Sequence, residues 1–186
     1  MTCIIVGASP ECAAIAEHEN AQAFVIAVDG GYDRLTECGI VPDLVIGDFD
    51  SLTGKLPVTV ETLRFPQEKD ESDTELAVQE AIRRGCKAFR IYGALGGRLD
   101  HTLANIALMI SLSERGYDCR LIGEREWLTA VVSNSRFKLD CATGQTVSVF
   151  TADESAHGVT LTGFKYPLAN AVLQRGTRGL SNEVTE

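Results

Sequence analysis

The sequence predicts an α/β protein: an N-terminal doubly wound, mostly parallel sheet with helices on both faces, followed by a small antiparallel β domain. Three observations carry this expectation. Apolar stretches of four to six residues alternate with helical periodicity through the first two thirds of the 186 residues, which is the pattern of β-α-β units around a parallel sheet. Several stretches, among them Cys3 to Val6 and Phe24 to Val28, are continuously apolar, as strands covered on both faces require. From about Glu124 the texture changes to short alternating runs separated by Gly, Asn and Asp, the signature of antiparallel strands.

Taken in order, strands are expected at Thr2 to Val6, Phe24 to Val28, Leu44 to Ile46, Thr59 to Arg64, Ala88 to Tyr92 and Cys119 to Ile122, with helices between them. The best-signed helix starts at Ser72, where Ser72 and Glu75 form an S-x-x-E capping box; Leu76, Ala81 and Ile82 supply its inner face and Gly85 ends it. A second helix starts near Asp100, places Leu103, Ile106, Ala107 and Ile110 at i, i+3, i+4 and i+7, and stops at Gly116. The later runs are Trp127 to Val132, Arg136 to Leu139, Thr146 to Phe150 and Val159 to Leu161. The boundary that follows is an α/β domain over 1–123 and a β domain over 124–186. The second part is too small to stand alone and should pack on the first or on another subunit.

Composition narrows the function. Seventeen Lys and Arg against 26 Asp and Glu give a net charge of −9, which repels a nucleic-acid backbone. No apolar run approaches the roughly 20 residues of a membrane span and no signal-peptide pattern opens the chain, so a cytoplasmic protein with no membrane or nucleic-acid partner is expected. The six cysteines, Cys3, Cys12, Cys38, Cys86, Cys119 and Cys141, contain no C-x-x-C pair, and read as buried reduced thiols.

The acidic residues are unevenly placed. Asp29, Asp43, Asp48 and Asp50 lie at or beside the ends of expected strands, and Asp70 and Asp73 just before a helix. The carboxyl ends of strands form the ligand crevice of an open α/β sheet. Clustered carboxylates need a cation or a proton, since two of them about 4 Å apart repel by about 4 kcal/mol at an effective dielectric near 20. Oxygen-only ligands favour Mg²⁺, which usually brings phosphates. In Gly47-Asp48-Phe49-Asp50-Ser51 the i, i+2 spacing would turn both aspartates the same way in an extended chain; an Asx-type turn explains the same residues without a metal. Lys69-Asp70-Glu71-Ser72-Asp73 is either part of that site or a solvated helix entrance.

Gly93-Ala94-Leu95-Gly96-Gly97-Arg98-Leu99-Asp100-His101 follows a strand and opens a helix, so its N–H groups and Arg98 could hold phosphate oxygens. A plain Gly-rich turn with Asp100 as N-cap is the alternative. Neither G-x-G-x-x-G nor a Walker loop is present. His101 takes only a supporting role, His18 and His157 carry no signal, and Trp127 reads as core or interface.

Together with Val28-Asp29-Gly30-Gly31, Lys165-Tyr166-Pro167-Leu168 and Arg178-Gly179-Leu180-Ser181-Asn182-Glu183, these segments resemble the bacterial thiamine pyrophosphokinase family, also called thiamine diphosphokinase, over nearly the whole chain. The resemblance implies transfer of a diphosphate from ATP to the hydroxyl of thiamine, with Mg²⁺, in a homodimer whose site lies in a cleft involving both subunits. It implies Asp48, Asp50 and Asp73 as Mg²⁺ ligands and Asp29 and Asp70 as supporting carboxylates. Arg98 and Asp100, with His101, fall in the phosphate loop, and Ser181 with Asn182 contact the aminopyrimidine ring. Asp100 is the first choice of general base. The resemblance further implies that the second domain is a β-sandwich, C-terminally shortened, because family members continue beyond the position of Glu186 through strands that complete it, and that the N-terminal α/β domain carries nucleotide and metal. The alternatives are a pyrophosphokinase for another small alcohol, such as a hydroxymethylpterin, and a truncated nucleotide-binding module without turnover.

Overall fold

A computed structural model of the chain describes residues 1–9, 15, 22–48, 60–66 and 70–186. Asp50, Lys69, Cys12 and His18, and the helix expected between the first two strands, lie outside them. Residues 1–135 form one compact unit and 136–186 another.

The first unit is organised by its apolar runs. β1 (Thr2–Val6), β2 (Phe24–Val28), β3 (Leu44–Gly47), β4 (Glu61–Arg64), β5 (Ala88–Tyr92), β6 (Asp118–Ile122) and β7 (Trp127–Thr129) form one sheet in the order β4-β3-β2-β1-β5-β6-β7. All neighbours are parallel except β6 and β7. The chain steps outward from β1 to β4, then returns to the other side of β1 as β5. That reversal between β1 and β5 is the topological switch point, where open α/β sheets bind ligands.

Alternation within each strand divides the core in two. Cys3, Ile5, Ile26, Val28, Leu44 and Ile46 face a cluster that also holds Ala77, Val78, Ala81, Met109 and Leu112, from α2 (Asp73–Arg83) and α3 (Leu99–Glu114). Ile4, Val6, Val25, Ala27 and Val45 face Tyr32 and Leu35 of α1 (Gly31–Glu37). Helices therefore cover both faces, which is why these strands read as unbroken apolar runs.

The helices obey their terminal signals. Ser72 is the N-cap of α2 and its Oγ accepts the Glu75 N–H at 3.2 Å, the forward half of the capping box. Leu76 and Ile82 are half-buried against the same core as Ala81. In α3 the expected inner face is shifted: Leu103 is 58% exposed and Ala107 is exposed, while Asn105, Met109, Leu112 and Ser113 are buried. Two polar residues occupy the inward stripe, each with its own acceptor, Ala94 O for Asn105 and Met109 O for Ser113. An apolar-only count therefore selects the neighbouring stripe, of which Ile106 and Ile110 still reach the core.

Asp43 also departs from expectation. It precedes β3, at the amino end of the sheet, where its Oδ2 accepts the Val25 N–H at 2.8 Å and its own N–H donates to Val25 O at 2.9 Å. It is a strand clamp and leaves the acidic cluster. Asp43→Ala is expected to cost about 1–2 kcal/mol, the penalty of an abandoned backbone donor, with catalytic constants unchanged; urea unfolding and a turnover assay check both halves.

Of the cysteines, Cys3, Cys86 and Cys119 are buried, Cys38 is exposed and Cys141 is intermediate, and none of these five is in a disulfide. Burial pushes the Cys119 thiol up to about 12, so it stays protonated and inert at neutral pH.

In the second unit, β8 (Thr146–Val147) pairs with β11 (Asn182–Glu183), and β9 (Ser155–Leu161) pairs with β10 (Leu168–Gln174), both antiparallel. The run Arg136 to Leu139 is not a strand, and the run from Thr146 is a strand for two residues only. Alternation makes a strand only where a neighbour takes its backbone groups. β10 escaped sequence reading because Asn170, at φ 49°, and two register shifts break its period. Trp127, on β7, is 37% exposed with the Arg120 guanidinium 4.9 Å from its ring centroid.

Candidate active site

Those predicted site residues of the first unit that the structure describes lie at the carboxyl edge of the sheet. Asp29 directly follows β2 and Asp48 directly follows β3; Asp70 and Asp73 lie in the passage from β4 into α2; Arg98, Asp100 and His101 lie between β5 and the first turn of α3. The charge is concentrated in the same unit: residues 1–135 hold 12 Lys and Arg against 21 Asp and Glu, and residues 136–186 hold 5 against 5. The whole net charge of −9 is thus carried by the unit with the carboxylate edge.

Asp29 is held in an unusual way. Its φ is 46°, a left-handed conformation uncommon outside Gly and often kept for function. Its N–H donates to Ile46 O at 3.0 Å and its carbonyl accepts the Tyr32 N–H at 3.1 Å, fastening β2 to β3 and to the start of α1. The side chain then lies over Gly47: a Cβ there would sit 1.8 Å from Asp29 Oδ1. Glycine at the end of β3 is what lets the Asp29 carboxylate occupy the strand end beside Asp48. Gly31 answers a similar demand, because its Cβ would be 1.9 Å from Val6 O; the Gly30-Gly31 pair brings α1 against β1.

The loop from Gly93 to Arg98 is anchored through three consecutive carbonyls. Asn105 Nδ2 donates to Ala94 O at 2.9 Å, Ser9 Oγ to Leu95 O at 2.7 Å, and Thr102 Oγ1 to Gly96 O at 3.2 Å. Ser9 follows β1, so its bond ties the two loops that flank the switch point. None of these three donors was singled out by sequence reasoning; Asn105, a polar residue on the inward stripe of an apolar helix, was the available signal. The N-cap of α3 is Arg98, without a side-chain cap bond, so Asp100 is not the cap. Instead Arg98 grips Asp100 with two bonds, Nε to Oδ1 at 3.1 Å and an Nη to Oδ2 at 2.6 Å. Both are exposed. The Arg98 bond and the His101 N–H hold the Asp100 carboxyl below the usual range, and the two Arg98 bonds keep the guanidinium aimed.

Asp48 and Asp73 are partly buried, whereas Asp70, Asp100 and His101 are exposed. Among the described residues no group of three or more His, Cys, Asp and Glu side chains stands close enough to hold a metal; Asp50 is not one of them. The donor chemistry still suits Mg²⁺, because the predicted set is carboxylate oxygen throughout, with neither His nor Cys among the predicted ligands.

In the second unit Asn182 is buried. Its Oδ1 accepts the N–H groups of Tyr166 and Glu183, both at 3.0 Å, and its Nδ2 donates to Tyr166 O at 2.8 Å. It clips the Lys165 to Pro167 turn to β11 and, among the described residues, uses one of its two amide protons. Ser181 is exposed at φ 59°, with its N–H on Ser148 Oγ at 3.0 Å.

A doubly wound sheet with carboxylates and an arginine loop around its switch point defines an α/β enzyme that handles phosphorylated ligands. Comparison with known proteins makes the class specific. Residues 16–121 match the family described as thiamin pyrophosphokinase, catalytic domain, and residues 134–186 match thiamin pyrophosphokinase, vitamin B1 binding domain. The thiamine pyrophosphokinase of Bacillus subtilis is 33% identical over 165 residues, 86% of this chain and 77% of its own. A crystal structure of thiamine pyrophosphokinase from that organism superposes with a TM-score of 0.88 at 29% identity, covering 100% of this chain and 91% of the other. The Geobacillus thermodenitrificans thiamin pyrophosphokinase gives 0.73 at 28%, covering 100% and 89%. The chain belongs to the thiamine pyrophosphokinase family. Membership favours thiamine over the pterin and over a module without turnover.

Proposed function

We propose that this chain transfers a diphosphate group from ATP to the hydroxyl of thiamine, giving thiamine diphosphate and AMP, at the carboxyl edge of its parallel sheet. What supports this placement is that Asp29, Asp48, Asp70, Asp73, Arg98 and Asp100, drawn from four separate segments, fall at one edge around the switch point. In transfers of this kind the protein does little covalent work; in-line positioning and neutralisation of phosphate charge account for most of the rate.

Asp48, Asp50 and Asp73 are the residues that would hold Mg²⁺, and the ion would supply charge neutralisation on the phosphates. Asp29 and Asp70 complete the acidic setting. Arg98 and the 93–98 loop hold phosphate oxygens, Asp100 keeps the Arg98 guanidinium oriented, and His101 supports the loop. Ser181 and the remaining amide proton of Asn182 serve the aminopyrimidine ring of thiamine. The enzyme works in the cytoplasm as a homodimer with its site near the subunit interface. Among the described residues no helix is long and apolar enough to cross a membrane.

The test is AMP and thiamine diphosphate formation from ATP, with thiamine or a hydroxymethylpterin, in Mg²⁺ and in EDTA. AMP is expected only with thiamine and Mg²⁺ together. AMP release that ignores thiamine, or turnover that survives EDTA, would overturn the reading.

A further inference from the structure

Asn105 and Thr102 stand one turn apart on α3 and point at the same loop, which Ser9 meets from the end of β1. Between them they take the carbonyls of Ala94, Leu95 and Gly96. No peptide in the described chain is cis, and in a planar trans peptide the N–H lies opposite the preceding C=O. Fixing those three carbonyls therefore fixes the N–H groups of Leu95, Gly96 and Gly97, each directed away from the side chain that holds its partner carbonyl. Among the described residues none accepts from these three N–H groups. Asn105 is only 8% exposed, so the anchor has few competing waters and little freedom. The α3 end of this arrangement is also the Arg98–Asp100 pair, whose carbonyl at Arg98 receives a second, longer bond from Thr102 Oγ1 at 3.4 Å.

We propose that Asn105, Thr102 and Ser9 are positioning residues for the nucleotide: they hold the 93–98 loop in the conformation that presents its N–H groups to the phosphates. The inference rests on the reading of that loop as the phosphate-holding one. A loop ordered in advance does not have to be ordered when ATP binds, so loss of an anchor weakens ATP binding in ground state and transition state alike, raising KM with little change in kcat.

The experiment measures KM for ATP and for thiamine separately, with kcat and the thermal midpoint, in Asn105→Ala, Thr102→Val, Thr102→Ser and Arg98→Gln. Asn105→Ala and Thr102→Val are expected to raise KM for ATP about tenfold and to leave KM for thiamine within about twofold, with Thr102→Ser restoring the wild-type value because it keeps the hydroxyl. Thr102 carries the test alone if the buried Asn105 variant does not fold. A lower thermal midpoint with an unchanged KM for ATP, or an equal rise for both substrates, overturns the positioning role. If Arg98→Gln also leaves KM for ATP unchanged, the phosphate reading of the loop has failed; if Arg98→Gln raises it and the anchor variants do not, the anchoring inference alone has failed.

Discussion

Asp48→Asn is expected to lower kcat by about a thousandfold while the protein stays folded. The side chain directly follows β3, is partly buried at the carboxyl edge and belongs to the unit that carries all of the net negative charge. Asparagine keeps its size and one acceptor oxygen but removes the charge that would neutralise a cation. Because the substitution is isosteric, the thermal midpoint should change little. Loss of turnover with retained stability is the mark of a site carboxylate; loss of both would assign Asp48 to the scaffold. The measurement is AMP release under saturating ATP and thiamine beside a thermal melt, and a near-normal rate would sink the metal assignment.

Gly47→Ala should be nearly as severe for a different reason. The added Cβ would meet Asp29 Oδ1 at 1.8 Å, and Gly47 sits at φ +155°, where side chains are rarely tolerated. The Asp29 backbone is bound to Ile46 and Tyr32 and cannot retreat, so the carboxylate must leave the strand end. A fall in kcat of about a hundredfold and a stability loss of about 1–3 kcal/mol are expected. The double variant with Asp29→Ala separates the terms. Removing the carboxylate removes the collision, so Gly47→Ala should destabilise the Asp29→Ala protein by only the cost of the backbone strain. The difference between the two backgrounds is the coupling energy. Equal costs in both would show that the two residues do not interact.

These effects concentrate on a few residues whose importance was visible in the chain to different degrees. Continuous apolar runs at Cys3 to Val6, Phe24 to Val28 and Leu44 to Ile46 announced doubly covered parallel strands because burial on both faces leaves no polar position to alternate. Ser72 and Glu75 marked the start of α2 because an N-cap is a local bond between neighbours. Asp29, Asp48, Arg98 and Asp100 stood out as candidates because acidic and glycine-rich stretches at strand ends suit a ligand crevice, although local turns and caps use the same residues. Asp43 looked like one of them and is not, since its clamp on Val25 depends on which end of β3 lies beside β2. Arg136 to Leu139 looked like a strand and is not, since pairing needs a neighbour that alternation cannot supply. The inward face of α3 was misassigned because Asn105 and Ser113 satisfy their polar groups internally, at acceptors no periodicity can reveal.

The amino-acid sequence by itself determined the alternation of strands and helices and the family, because those follow from local burial patterns and from which side chains are present. Only the tertiary structure decided that Gly47 makes room for Asp29, that Arg98 and Asp100 grip each other, and that Ser9, Thr102 and Asn105 share the carbonyls of one loop. Each of those contacts depends on which atoms the fold brings close together, and two of them, Gly47 with Asp29 and Ser9 with Leu95, join residues far apart along the chain.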